Sequence, residues 1–166
     1  MKTIPEEIVE KTWQEVAGVS PAKAKREMTK IGNIHPELLA FVMESSNEMS
    51  QKVRELAIYM FLVIYRMFQK AHGKIKKISS EEIIKYYKHN ESLMGRLEAA
   101  DEKFLDRIAS VQTSRQPHVV NYLVDSLMEE EQGGEDAVAL TEEQKGFLYL
   151  LLKTVIDVLD REGMKP

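Results

Sequence analysis

Residues 50–73 read Ser-Gln-Lys-Val-Arg-Glu-Leu-Ala-Ile-Tyr-Met-Phe-Leu-Val-Ile-Tyr-Arg-Met-Phe-Gln-Lys-Ala-His-Gly. The stretch predicts a helix from about Ser50 to His72, and its residues 56–65 are apolar or aromatic on every side of that helix. A helix of this kind has to be surrounded, so it is expected at the centre of the fold. A membrane span is excluded by length, because the run is ten residues and a span needs roughly 20. Arg54, Glu55 and Arg66 bracket it with charge. The run Phe147-Leu148-Tyr149-Leu150-Leu151-Leu152 has the same character and follows Thr141 and Gln144, a capping box. Two helices that are apolar all round predict an all-α domain in which 50–72 and 142–161 pack against each other.

Working outward, helix punctuation recurs and period-2 alternation is nearly absent. Thr3 and Glu6 form a capping box for a first helix with Ile8, Thr12, Trp13 and Val16 on one face, stopped by Gly18. Ser20-Pro21 starts a short second helix with Ala24, Met28 and Ile31 inward, ending at Gly32. His35-Pro36 opens a third through Leu38, Leu39, Phe41 and Val42. Beyond the central helix, the connector Lys74-Ile75-Lys76-Lys77-Ile78 leads to a capping box, Ser79 with Glu82, for a helix reaching about Glu98. Its expected inner face is Ile83, Ile84, Tyr87, Met94 and Leu97. A further helix is read through Phe104, Leu105, Ile108 and Val111, with Asp101 in a break or in a continuous helix. Gln116-Pro117 starts the next, with Val119, Val120, Leu123 and Leu127 inward. Residues 129–136, Glu-Glu-Glu-Gln-Gly-Gly-Glu-Asp, carry nothing apolar and read as a mobile acidic loop within 129–140.

Residues 35–46 and 116–127 align at a spacing of 81, with Pro and Ser coinciding and six further positions exchanged within a class. Any two Pro-started amphipathic helices could match this well, but the order of four element types also agrees. The pattern therefore points to a single domain, residues 1–166, of about seven or eight helices, with possible pseudo-symmetric four-helix repeats at 1–73 and 79–163.

The chain has 166 residues, 43% of them hydrophobic, enough to bury a core without staples. It contains no Cys, which excludes disulfide frameworks, thiolate metal sites and cysteine nucleophiles. Acidic residues at Glu6 and Glu7 stand where a cleaved signal would be apolar, so the expected location is cytoplasmic. Charge is uneven: residues 1–89 hold 15 Lys/Arg against 11 Asp/Glu, net +4, and residues 90–166 hold 8 against 16, net −8. Opposite signs in the two halves can orient a partner or favour head-to-tail association.

Catalytic motifs are missing: there is no phosphate-binding glycine loop, nucleophile elbow or zinc-protease helix. None of His35, His72, His89 and His118 follows an acidic residue by three, which removes the usual di-iron pairs. His35 and His118 could be paired as metal ligands or proton relays, but capping or exposure is the simpler reading. Glu44 and Asp125 could pair as acid–base carboxylates, with solvated surface groups as the simpler reading. Met28, Met43, Met60, Met67 and Met94 could line a groove, although core filling is the usual role of Met.

From Arg66 to His89 there are seven Lys/Arg against Glu81 and Glu82 only, interleaved with Tyr86 and Tyr87. Lys70, Lys74, Lys76, Lys77, Lys85, Tyr86 and Lys88 could thus bind nucleic acid or another polyanion, Lys on phosphate and Tyr on bases. The expectation is a non-catalytic interaction or scaffold module, free of metal and organic cofactor, partnering another protein or itself and no membrane. Polyanion binding through 66–89 is the alternative, and an enzyme with an unfamiliar helical site is a third reading.

Overall fold

In a computed structural model, residues 2–98, 115–132 and 140–161 are described. They form seven helices and no strand: α1 Glu6–Ala17, α2 Pro21–Ile34, α3 Pro36–Ser45, α4 Gln51–His72, α5 Ser80–Glu98, α6 Pro117–Gln132 and α7 Glu142–Arg161. The fold is therefore all-α, as the two apolar runs require. The helix read through Phe104, Leu105, Ile108 and Val111 lies outside the described residues, as do Asp101, the side chain of Leu97 and residues 133–139.

Helix α4 begins where Ser50 Oγ accepts from the Val53 N–H at 3.4 Å, and ends where Gly73 takes a φ of 81°. That left-handed value is one a side chain adopts at a cost, so glycine is suited to the position. From Met60 to Phe68 every residue but Arg66 is buried. The sequence run 56–65 is not buried all round, however: Tyr59 is 39% exposed and Leu56 and Ile58 are half-buried. Helices α4 and α7 pack against each other, with α5 laid along α7 and with α1, α3 and α6 closing around α4. Leu148, Leu151, Leu152, Val155 and Ile156 of α7 are fully buried.

Helices α5 and α7 start with the capping boxes read from sequence. Ser79 Oγ accepts from the Glu82 N–H while Glu82 accepts from the Ser79 N–H, at 3.3 and 3.1 Å. Thr141 and Gln144 do the same at 3.0 and 2.9 Å. Buried hydroxyls of Thr12, Ser46 and Thr154 are satisfied by the carbonyl four residues earlier, at 2.6, 2.8 and 2.7 Å. One polar seam joins α5 to α7: buried Asn90 donates to Thr154 Oγ1 at 3.3 Å and to Asp157 at 3.0 Å, and Lys153 holds the other Asp157 oxygen at 2.6 Å. Burial, and secondarily the Asp157 charge, pushes the Tyr149 phenol far above its ordinary range.

Several sequence readings are corrected. Gly32 does not end α2, which runs on to Ile34. A Cβ there would meet Leu39 Cδ2 at 2.8 Å, so the glycine serves the close approach of α3 instead. Ile84 is 50% exposed, because α5 turns Ile83 and Met94 inward. Helix α6 continues to Gln132, four residues into the stretch read as loop. Met60, Met67 and Met94 fill the core as expected, whereas Met43 is exposed.

His35 ends α2 and precedes Pro36, yet it is neither exposed nor a side-chain cap. Its ring is fully buried against Tyr65, edge on at 5.8 Å, and neither nitrogen has a hydrogen-bond partner among the described residues. Burial holds its pKa below the ordinary value. The folded chain thus binds this proton less well than the unfolded chain, so stability is full above about pH 6.5 and is lost as pH falls below it. The loss should be about 1.4 kcal/mol per pH unit until the folded pKa is reached. His35→Phe should flatten that slope in urea midpoints measured from pH 7.5 to 5.

Candidate functional site

Helix α1 is fastened at both ends, and the fastenings define the site. Its N-cap is Pro5, with no side-chain cap, so the expected Thr3–Glu6 box does not form. Thr3 lies too far upstream; its hydroxyl donates instead to the Arg115 carbonyl at 3.2 Å. Ile4, fully buried, donates its N–H to Gln116 Oε1 at 2.8 Å. The Gln116 amide donates to the Lys2 carbonyl at 3.1 Å and to Asp160 at 2.8 Å. One buried glutamine therefore ties the N-terminal segment to α6 and α7. Near the other end Glu15 pairs with Lys70 of α4, and that ammonium holds the Glu15 carboxyl below its usual range.

Between these fastenings α1 turns Val9, Thr12 and Val16 inward and leaves an adjacent stripe over a cleft of about 360 Å³. The stripe is Glu6, Glu10, Trp13 and Ala17, spaced four, three and four, the repeat of one helix face. Helix α4 supplies Leu56, Tyr59 and Met60. Helix α6 supplies His118, Asn121, Tyr122 and Asp125, again with helical spacing. Trp13 is 38% exposed and Tyr59 39% exposed, while Tyr122 is half-buried. Open aromatic surface of this extent inside a concavity is what binding surfaces show. Three carboxylates, Glu6, Glu10 and Asp125, edge the cleft, and no Lys or Arg lines it. Trp13, read on the inner face of α1, stands at the edge of the buried stripe Val9, Thr12 and Val16 and is 38% exposed.

The basic segment is divided by the fold. Lys70 is engaged by Glu15, and Arg66 lies 3.7 Å from Glu27. Lys74, Lys76 and Lys77 are exposed on a connector pinned by buried Ile75 and Ile78. On α5, Lys85 and Lys88 are exposed, with the Lys85 ammonium 5.5 Å from the Tyr86 ring centre. Tyr86 packs against the core, and Tyr87 stands edge-on to Phe41 at 5.8 Å. Burial, then the Glu91 charge, raises the Tyr87 pKa. Neither ring stands clear as a stacking platform.

His118 and Asp125 line the cleft; His35 is enclosed beside Tyr65, and Glu44 is exposed on α3. Neither the histidine pair nor the carboxylate pair shares a site. Among the described residues no three His, Asp or Glu side chains gather as metal ligands, and no helix is long and apolar enough to cross a membrane. No family model, curated protein or solved structure matches this chain.

Proposed function

We propose that the chain is a non-catalytic interaction module whose working surface is the cleft between α1, α4 and α6. The observation that carries the reading is the exposure of Trp13 and Tyr59 in a concavity formed by three helices whose contributing stripes are far apart in sequence. Large aromatic side chains left open at such a place gain most when a partner covers them. Each ring is 38–39% exposed and otherwise covered, so Trp13→Ala with Tyr59→Ala should lower the melting temperature while leaving the helicity at 25 °C intact, which circular dichroism checks before the partner comparison. Comparative crosslinking from source-cell extract with wild-type and double-variant bait should then show at least one partner lost. Identical partner sets would overturn the reading.

Exposed Lys74, Lys76 and Lys77, on a connector pinned by buried Ile75 and Ile78, favour a second reading, the docking of nucleic acid or another polyanion. Reversing all three to Glu should change stability by less than about 0.5 kcal/mol, because none is buried. In a gel shift, true phosphate contact weakens linearly in log salt and disappears in the triple variant. We also propose that α3 and α6 are equivalent elements of a duplicated unit. In register, Leu38 and Val119 are fully buried, as are Val42 and Leu123, and the residues before both prolines, His35 and Gln116, are buried too.

A further inference from the structure

We infer that the occupant of the cleft is a protein segment that inserts an arginine side chain, so that recognition is of a guanidinium on an apolar stem. The inference rests on the proposal that the α1/α4/α6 cleft is the docking surface. Its lining carries three carboxylates, Glu6, Glu10 and Asp125, against one imidazole, His118, and no Lys or Arg. An anionic or purely apolar occupant would leave those carboxylates partly desolvated with nothing to offset the loss.

The apolar floor selects among cations. Val9, Leu56 and Met60 lie in the same concavity as the carboxylates. A compact inorganic ion would leave that floor uncovered, whereas the methylene stem of a long basic side chain covers it and keeps the charge at the rim. The open ring surface of Trp13 and Tyr59 then favours arginine over lysine. A guanidinium is planar, weakly hydrated, able to stack on an aromatic face and able to meet carboxylates with two parallel hydrogen bonds. A volume of about 360 Å³ holds one or two such side chains, not a helix roughly 10 Å across, so the segment's backbone runs over the cleft while its side chains enter.

The chain contains one Trp, and it lies in this cleft, so its fluorescence reports occupancy directly. The probes are three blocked twelve-residue peptides of equal apolar content, carrying arginine, citrulline or glutamate at every third or fourth position. Citrulline keeps the shape of arginine and removes the charge. The arginine peptide should shift Trp13 emission saturably, and citrulline should weaken binding about tenfold or more. Glu10→Gln with Asp125→Asn should weaken the arginine peptide by a similar factor and flatten its salt dependence, while Glu44→Gln with Glu48→Gln, outside the cleft, should leave it unchanged.

Equal binding of the arginine and citrulline peptides would overturn the inference while leaving the cleft as the docking surface. Equal loss in the Glu44 and Glu48 variant would overturn it too, by showing diffuse attraction to an acidic chain. If Trp13 emission depends on protein concentration alone, the occupant is a second copy and the inference fails. If no peptide moves the emission and crosslinking to partners is unaffected by Trp13→Ala with Tyr59→Ala, the inference and the reading beneath it both fail.

Discussion

Leu62→Asp should leave most of the chain unfolded in neutral buffer at 25 °C. Leu62 is 3% exposed near the middle of α4, between fully buried Phe61 and Val63. Burial denies a carboxylate water there, and Arg66, one turn further along α4, already lies beside Glu27 and Gln69, so a charge so placed costs several kcal/mol even after the protein relaxes. The lost leucine packing adds roughly 2 kcal/mol or more. Together these rival the whole folding free energy of an ordinary domain, about 5–15 kcal/mol. Helicity followed by circular dichroism against urea measures the effect. Leu62→Met, which keeps the volume, should cost less than about 1.5 kcal/mol and confirms that charge rather than shape is responsible.

Gln116→Ala comes second, with an expected cost of about 3 kcal/mol. The Gln116 side chain is 1% exposed and makes three bonds at once, to the Ile4 N–H, the Lys2 carbonyl and the Asp160 carboxylate. Truncation leaves the Ile4 donor and the nearly buried Asp160 without the amide that satisfies them. It also frees Ile4, fully buried, to leave the core. Gln116→Glu should cost at least as much at neutral pH, because it sets a second carboxylate beside Asp160. Its penalty should shrink as pH falls and the pair takes up a shared proton. A urea titration of both variants at pH 7 and pH 5 distinguishes lost hydrogen bonds from charge repulsion.

The all-α fold was legible because its decisive signals are local. A run apolar on all faces specifies a central helix wherever the rest of the chain goes, and the boxes at Ser79 and Thr141 act within four residues. The failures came where a local pattern was overruled by a distant partner. Thr3 has the spacing of a cap but is drawn to Arg115, and Gly32 resembles a helix stop but answers to Leu39 of the next helix. Trp13 is about 100° from Thr12 but only about 40° from buried Val9 on the helical wheel, at the edge of the inward stripe, so periodicity alone could not tell whether it faces in or out. The cleft was illegible for a stronger reason: its walls come from α1, α4 and α6, and their juxtaposition is a property of packing. The basic stretch, conspicuous as a string of letters, is split by ion pairs to Glu15 and Glu27 that no spacing rule announces.

The clamp at Gln116 also sets an order of events in time. Ile4 and Gln116 are separated by 112 positions, so their contact closes a very large loop, and such closures become favourable only after α6 and α7 have docked. The N-terminal strap is therefore expected to settle late and to open early, so the Ile4 amide should exchange its hydrogen faster than the core amides of α4. Because it anchors the start of α1, its release loosens the wall that carries Glu6 and Glu10 while the α4–α7 centre stays intact. If α1 amides exchange with the Ile4 amide and ahead of those of α7, the lifetime of the cleft as a shaped surface is set by this local opening rather than by global unfolding.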